Sequence, residues 1–369
     1  MNLTKYVKKF GNRSFLSFPF SMVDACLFAT IIYSYLDQIA PSFKEKDKYI
    51  YIKDITDENL DAICTSGLYD RENKKALKLM RNSLRYKDIK CMFAYSVYET
   101  EFLEQACALT FLIPDVGYLI AFRGTDKTAI GWKENLTMSS YDATASQIDA
   151  VEYLNIVYNI IGNQPLMLCG HSKGGNLAFF SSLYCEPKVY HNITKVFSFD
   201  GPGMRSQKFL NLESYKYLKD RLILVAPRDS VVSAIFYNPP VRAIVKSHLF
   251  SMAQHDEYFW KINKNGQFKE VNKFAKFVPI RSKAFFSLSK SMTREETNVF
   301  IDIVINSLRD ENGEMRFVKG GLPSRKINKY LKKRCTEEQK SIFKSAVRTI
   351  FSIYKEELKT KSKKQESID

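Results

Sequence analysis

The residues of this chain that could do chemistry gather around Gly170-His171-Ser172-Lys173-Gly174. A serine hydroxyl is a poor nucleophile at neutral pH, and it becomes useful when a base stands beside it and an acid orients that base. The G-x-S-x-G spacing suits that task. Ser172 must sit on a strained turn that pushes its hydroxyl outward, and glycines two residues to either side let the flanking elements pack closely enough. The apolar run Leu166 to Cys169 reads as a short buried strand and Asn176 to Leu183 as an apolar-faced helix, so the serine lies between strand and helix. The chemistry this predicts is acyl transfer through a serine nucleophile.

The search for the base is short, because the chain has four histidines. His171 adjoins the serine and, at a strand end, points to the opposite face; His191 precedes the later strands, where such an enzyme does not keep its base. His248 and His255 follow the strand 221–226, as the order serine, acid, histidine requires. The reading favours His255, in a loop ahead of Trp260, with His248 as the alternate. For the acid, Asp229 in the open stretch Arg228-Asp229-Ser230 is preferred, and Asp200, followed by a tight Gly-Pro-Gly turn, is the alternate. Backbone N–H groups of Lys173 and Thr125 are the candidate oxyanion donors, Thr125 because a buried strand empties into Phe122-Arg123-Gly124-Thr125.

The elements that must position these residues can be read from periodicity. Val23 to Tyr35 is dense enough in apolar residues for a buried helix with Asp24 as its starting acid, and 57–63 and 73–84 read as amphipathic helices. Strands are expected at 91–98, 105–113 and 117–122, the last two joined as a hairpin across Pro114-Asp115. Ile148 to Ile161 repeats at helical spacing and stops at Gly162, and strands follow at 166–169, 195–199 and 221–226. This alternation predicts right-handed crossovers in a parallel sheet, whose functional residues gather at the carboxyl ends of strands. Ser172, Asp200, Asp229 and Thr125 all fall there. Residues 129–144 are a candidate cover over the site. An Asn-Gly hairpin is expected across 258–271, and two capped helices joined by Gly-Gly-Leu-Pro at 320–323 close the chain.

With 369 residues, 45% hydrophobic and 26% charged, the chain can bury a large core. Its net charge of +16 is uneven, since Arg325 to Asp369 holds 14 basic and 6 acidic residues. That segment is where an anionic partner would meet the protein, a membrane surface or an acidic protein ahead of nucleic acid, but the favoured reading is a solvated helical face that keeps the protein in solution. Seven cysteines without a C-x-x-C pair argue against both a disulfide framework and a zinc site. No signal-like leader or membrane span is read from the sequence, so the expectation is a cytoplasmic protein, at most peripheral to the membrane, with no cofactor or metal.

The Phe-Arg-Gly-Thr at 122–125, the Gly-His-Ser-Lys-Gly-Gly-Asn-Leu-Ala at 170–178 and the later acid and histidine resemble the class 3 lipase group of α/β-hydrolases. Val23-Asp24-Ala25, Phe199-Asp200-Gly201-Pro202-Gly203 and Gln254-His255-Asp256 with Trp260 resemble more closely a bacterial family of lipase-like hydrolases, the Mbeg-like domain family. The resemblance spans roughly residues 1 to 310. It implies an α/β-hydrolase fold, a mostly parallel central sheet flanked by helices, with Thr125 at the oxyanion position and Ser172, Asp229 and His255 as triad. The expected organisation is an N-terminal helical segment (1–90), a hydrolase core (91–290), a C-terminal helical extension (291–358) and a disordered basic tail (359–369). The expected function is a serine esterase acting on a small-molecule or lipid ester, a phospholipid or lysophospholipid included. The alternatives are a non-catalytic binding module that docks through the basic C-terminal region, and a thioesterase or peptidase.

Overall fold

Among the residues described by the computed structural model (1–65, 68–99, 104–126, 133–134, 138, 141–309 and 324–366), nine strands form one sheet in which neighbours in space are neighbours in sequence. They are β1 Ile50–Tyr51, β2 Lys90–Glu99, β3 Glu104–Ile113, β4 Gly117–Phe122, β5 Leu166–His171, β6 Ile193–Phe199, β7 Leu222–Pro227, β8 Val241–Val245 and β9 Glu270–Val271. β1 to β4 pair antiparallel, β4 to β8 are parallel, and β9 returns antiparallel to β8. This is the expected α/β-hydrolase architecture.

The strand order has a geometric consequence. The parallel strands advance in one direction, so right-handed crossovers place their helices on one face of the sheet. Helices Ala145–Ile161, Lys173–Tyr184 and Glu213–Leu218 supply Leu154, Leu177 and Leu218 to the cluster that also holds Ile120, Leu168 and Val196 of the strands. The alternate strand residues, Leu119, Cys169 and Phe197, face the other way and need a separate cover. The N-terminal helix Met22–Ile31 provides it, with every residue from Val23 to Ile31 buried. A helix apolar on all sides is what that two-sided burial requires.

The same helix carries a buried charge. Asp24 closes a capping box with Ser21 and accepts further hydrogen bonds from Arg85 Nε (2.9 Å) and Nη2 (2.7 Å), Tyr86 Oη (2.7 Å) and Tyr6 Oη (3.1 Å). Both ends of the Asp24–Arg85 pair are fully buried. Three separate N-terminal segments are thereby tied to one carboxylate.

Helix Leu3–Phe10, strand β1 and helix Val278–Ser291 are additions to the expected elements, and three further departures follow. Strand β8 was not anticipated, so β7 is not the last parallel strand. The Asn-Gly turn closes at Gly266 (φ +81°), yet its second arm pairs with β8 beyond the single bridge Ile262–Phe268. The final helix runs Glu337–Glu366, so residues 359–366, expected as a disordered tail, are helical; their Lys, Glu and Gln are good helix formers. The linker 320–323 and most of the expected cover 129–144, Trp132 included, lie outside the described residues. Helices Val278–Ser291 and Arg294–Leu308 join the core through Phe236–Phe285 and Tyr237–Phe286 ring contacts and a Lys133–Asp302 ion pair of 2.7 Å. Among the described residues no helix is long and apolar enough to cross a membrane, and all seven cysteines are unbridged.

Removing the Asp24 carboxylate would leave the Arg85 guanidinium buried without its counter-charge. Asp24→Ala is expected to cost about 3–5 kcal/mol of unfolding free energy, read from the midpoint of urea denaturation followed by circular dichroism. A loss below about 1 kcal/mol would show that the pair is dispensable.

Candidate active site

Ser172 links β5 to helix Lys173–Tyr184 with φ +56° and ψ −127°, a backbone conformation that L-residues rarely adopt. Glycine is required on both sides by contact distances: a Cβ at Gly170 would lie 2.1 Å from Gly174 O, and one at Gly174 would lie 2.1 Å from Phe122 O. The turn is pinned by Ser172 N–H donating to Phe199 O (2.9 Å), and Ser172 O accepts from Gly175 N and Asn176 N. The serine hydroxyl is not used to cap the helix it precedes.

The two candidate acids differ in which side chain they meet. His255 Nδ1 lies 2.8 Å from Asp200 Oδ2, whereas the preferred Asp229 pairs with Arg281 Nη1 at 2.7 Å. Asp200 directly follows β6, the strand beside the one that leads into Ser172, in a left-handed conformation (φ +45°). Its other oxygen accepts from Ser230 Oγ and from Ser233 N (3.2 Å). Ser230 faces Asp200, and Asp229 one residue earlier turns to Arg281 on helix Val278–Ser291. The Gly-Pro-Gly after Asp200 did not consume its carboxylate, as a tight turn could have done.

His255 itself comes from the turn Ser251–His255, after β8. Its backbone is held by His171, whose Nε2 lies 2.8 Å from His255 O, and the two rings stand 4.3 Å apart between centroids. Burial, then the nearby His255, hold the His171 imidazole well below its ordinary value, so the ring is neutral. With Nε2–H donating to the carbonyl, Nδ1 is an acceptor, and Tyr33 Oη and Glu257 Oε1 both lie 3.1 Å from it. Burial pushes the Glu257 carboxyl well up, leaving it a proton to donate. Tyr33 and Glu257 were not singled out in the sequence; the signal available was a glutamate two residues past His255, directly ahead of the aromatic run Tyr258-Phe259-Trp260.

The remaining expected residues divide. Thr125 is buried at the end of the stretch after β4, where Gly124 passes so close to Tyr33 and His171 O that a Cβ would lie 2.6 Å from that carbonyl. Lys173 begins the helix after Ser172. Its side chain is almost wholly buried, and Nζ donates to Glu134 Oε2 (2.9 Å) and to Gln105 O. Glu134, one of the described residues of the expected cover, also accepts from Ser146 N (3.1 Å), so the residue after the nucleophile is linked through it to the start of helix Ala145–Ile161. His248 is not brought to the site: it is exposed, its N–H bonded to Phe259 O (2.9 Å). Among the described residues no cluster of three or more His, Cys, Asp or Glu could hold a metal ion.

A family model described as Mbeg1-like matches residues 80–306, well over half of the chain. The crystal structure of M37 lipase aligns with a TM-score of 0.37 at 17% identity, covering 67% of this chain and 82% of the lipase chain. No curated protein matches the sequence.

The loop that carries His255 has its own pH dependence. Burial pushes the Asp256 carboxyl up to about 6, while its Oδ1 accepts from Tyr258 N (2.9 Å). A folded-state value above the unfolded one means the folded protein holds the extra proton, so Asp256 weakens the fold as pH rises from about 4 to 6, and the cost stays above that. Asp256→Asn keeps the acceptor and removes the charge. It is expected to raise stability at pH 7 by about 2 kcal/mol and to leave it unchanged at pH 4, checked by denaturant midpoints at both values; equal effects at both would refute a titration origin.

Proposed function

The chain belongs to the Mbeg1-like family, and from that premise we propose that it is a serine hydrolase that cleaves carboxylic esters through Ser172, His255 and Asp200. The observation that carries the reading is the 2.8 Å contact between Asp200 Oδ2 and His255 Nδ1, on the strand next to the strained serine. An aspartate on Nδ1 fixes the tautomer in which Nε2 can take a proton. In the proposed reaction His255 Nε2 removes the Ser172 hydroxyl proton as Oγ attacks the ester carbonyl. The tetrahedral oxyanion is held by the backbone N–H groups of Lys173 and Thr125. His255 then passes its proton to the leaving alcohol, and water, deprotonated by the same nitrogen, releases the acid and restores the serine.

The resemblance to lipase-like hydrolases points to lipid esters as the substrate class, lysophospholipids among them. The seven unbridged cysteines support a reducing compartment, the cytoplasm.

A panel of p-nitrophenyl esters of increasing acyl length tests the activity and the assignment together. Ser172→Ala is expected to bring hydrolysis to background. Asp200→Asn should lower kcat by about 10³–10⁴-fold. Asp229→Asn should keep kcat within about threefold, since it loosens only the Arg281 contact. Loss of activity in Asp229→Asn with Asp200→Asn unaffected would reverse the acid assignment, and a folded wild-type protein inert on every ester would refute the esterase reading.

A further inference from the structure

One face beside the candidate site carries a concentration of positive charge that the proposed chemistry does not use. The N-terminal amine of Met1 donates to Ile262 O (2.6 Å), which sets the start of helix Leu3–Phe10 against the segment after β8. Backbone hydrogen bonds bring Lys246, Lys261 and Lys269 together on that segment: Lys246 N to Lys269 O, Lys261 N to Lys246 O and Lys269 N to Lys261 O, all within 2.8 Å. Lys9 of the helix donates its Nζ to Lys264 O (2.9 Å), between Lys261 and Lys269, and Lys5 lies one helical turn before it, near the Met1 amine. Among the described residues none of these five lysines forms an ion pair with a carboxylate, and Glu270 is the acid beside them on β9. Their mutual repulsion is visible in the amine and in His248, both held below their ordinary values: by burial first, then for the amine by Lys269, Lys5, Lys9 and Lys261, and for His248 by Lys261, the amine, Lys5 and Lys269.

Exposed apolar side chains border the same cluster. Phe259, whose carbonyl binds His248 N–H, is 39% exposed; Phe250, two residues past His248, is 84% exposed, and Met252 is 40% exposed. Phe250 and Met252 lie just ahead of His255 in the chain, Met252 within the same turn. Single exposed apolar residues need no explanation, but aromatic and thioether side chains beside lysines without a carboxylate partner match a surface that is anionic outside and apolar beneath. A nucleic acid would satisfy the lysines and leave Phe250 and Met252 in water.

We propose that this face, formed by Lys5, Lys9, Lys246, Lys261 and Lys269 with Phe250 and Met252, docks the protein on an anionic lipid bilayer. The lysines sit at the headgroups and Phe250 and Met252 enter the interface, which brings the His255 turn to the lipid surface. The basic C-terminal helices are then not the docking element. Binding of this kind does not depend on the ester-hydrolase reading, and it is measured on a protein that cannot hydrolyse by that route.

The test is co-sedimentation of full-length Ser172→Ala protein with phosphatidylcholine vesicles, with and without about 30% phosphatidylglycerol. The anionic vesicles are expected to raise the partition coefficient about tenfold or more, with the gain falling as salt is added. Lys5→Glu with Lys269→Glu should remove about tenfold or more of it, and Phe250→Ser with Met252→Ser should remove severalfold without changing the circular dichroism spectrum. Lys332→Glu with Lys333→Glu, on the exposed face of a C-terminal helix, should leave it unchanged. No preference for anionic vesicles, loss only in the Lys332 and Lys333 variant, or release from vesicles by an equal charge of duplex DNA would overturn the proposal.

Discussion

The structure depends most on one close approach, that of strand β5 to the helix after it, with Ser172 held between them in a conformation that L-residues rarely adopt. The approach is closed on three sides. Gly170 meets the Gly174 carbonyl, Gly174 meets the Phe122 carbonyl, and Ser172 N–H is bound to the last residue of β6. Strain of order 1–3 kcal/mol at such a residue persists only where its surroundings over-determine it. Here β4, β5, β6 and the helix all take part, so the sheet serves as the clamp that keeps the serine hydroxyl turned out of its own helix cap.

The rest of the fold follows from where that sheet is left bare. Strands that advance in one direction put their crossover helices on one face, and the opposite face is closed by N-terminal chain. This links the start of the sequence to the site. Helix Met22–Ile31 packs beneath β5 and β6, and Tyr33, just past its end, reaches His171. His171 in turn holds the backbone of His255. A residue adjacent to the nucleophile thus positions the turn that carries the candidate base, through a neutral ring whose state is set by burial.

The sequence was most legible where local pattern and local geometry coincide. G-x-S-x-G between an apolar strand and an apolar helix has one mechanical reading, and the strand ends at Phe122 and Phe199 follow from runs of apolar residues, whereas β5 runs two residues past its apolar run, to His171. Asp200 and Asp229 were harder to separate because both lie at strand ends and chain order admits either. What sets them apart is the direction of two adjacent side chains, Asp229 toward Arg281 and Ser230 toward Asp200, and the Arg281 partner lies 52 residues away in sequence. β8 escaped notice because Val241–Val245 is short and interrupted by an arginine. The burial of Lys173 was also invisible: a lysine after the nucleophile reads as surface until Glu134 and Gln105 are placed against it. The basic face near the N-terminus could not be seen either, since its lysines come from segments more than 230 residues apart.

The central claim is that Ser172 is a nucleophile activated by the Asp200–His255 pair. Labelling with a fluorophosphonate probe, with the modified residue located by mass spectrometry, tests it most directly. A single adduct on Ser172 is expected in the wild-type protein, formed at least about a hundredfold more slowly in His255→Ala. An adduct elsewhere, or labelling of Ser172 at the same rate when His255 is absent, would contradict it.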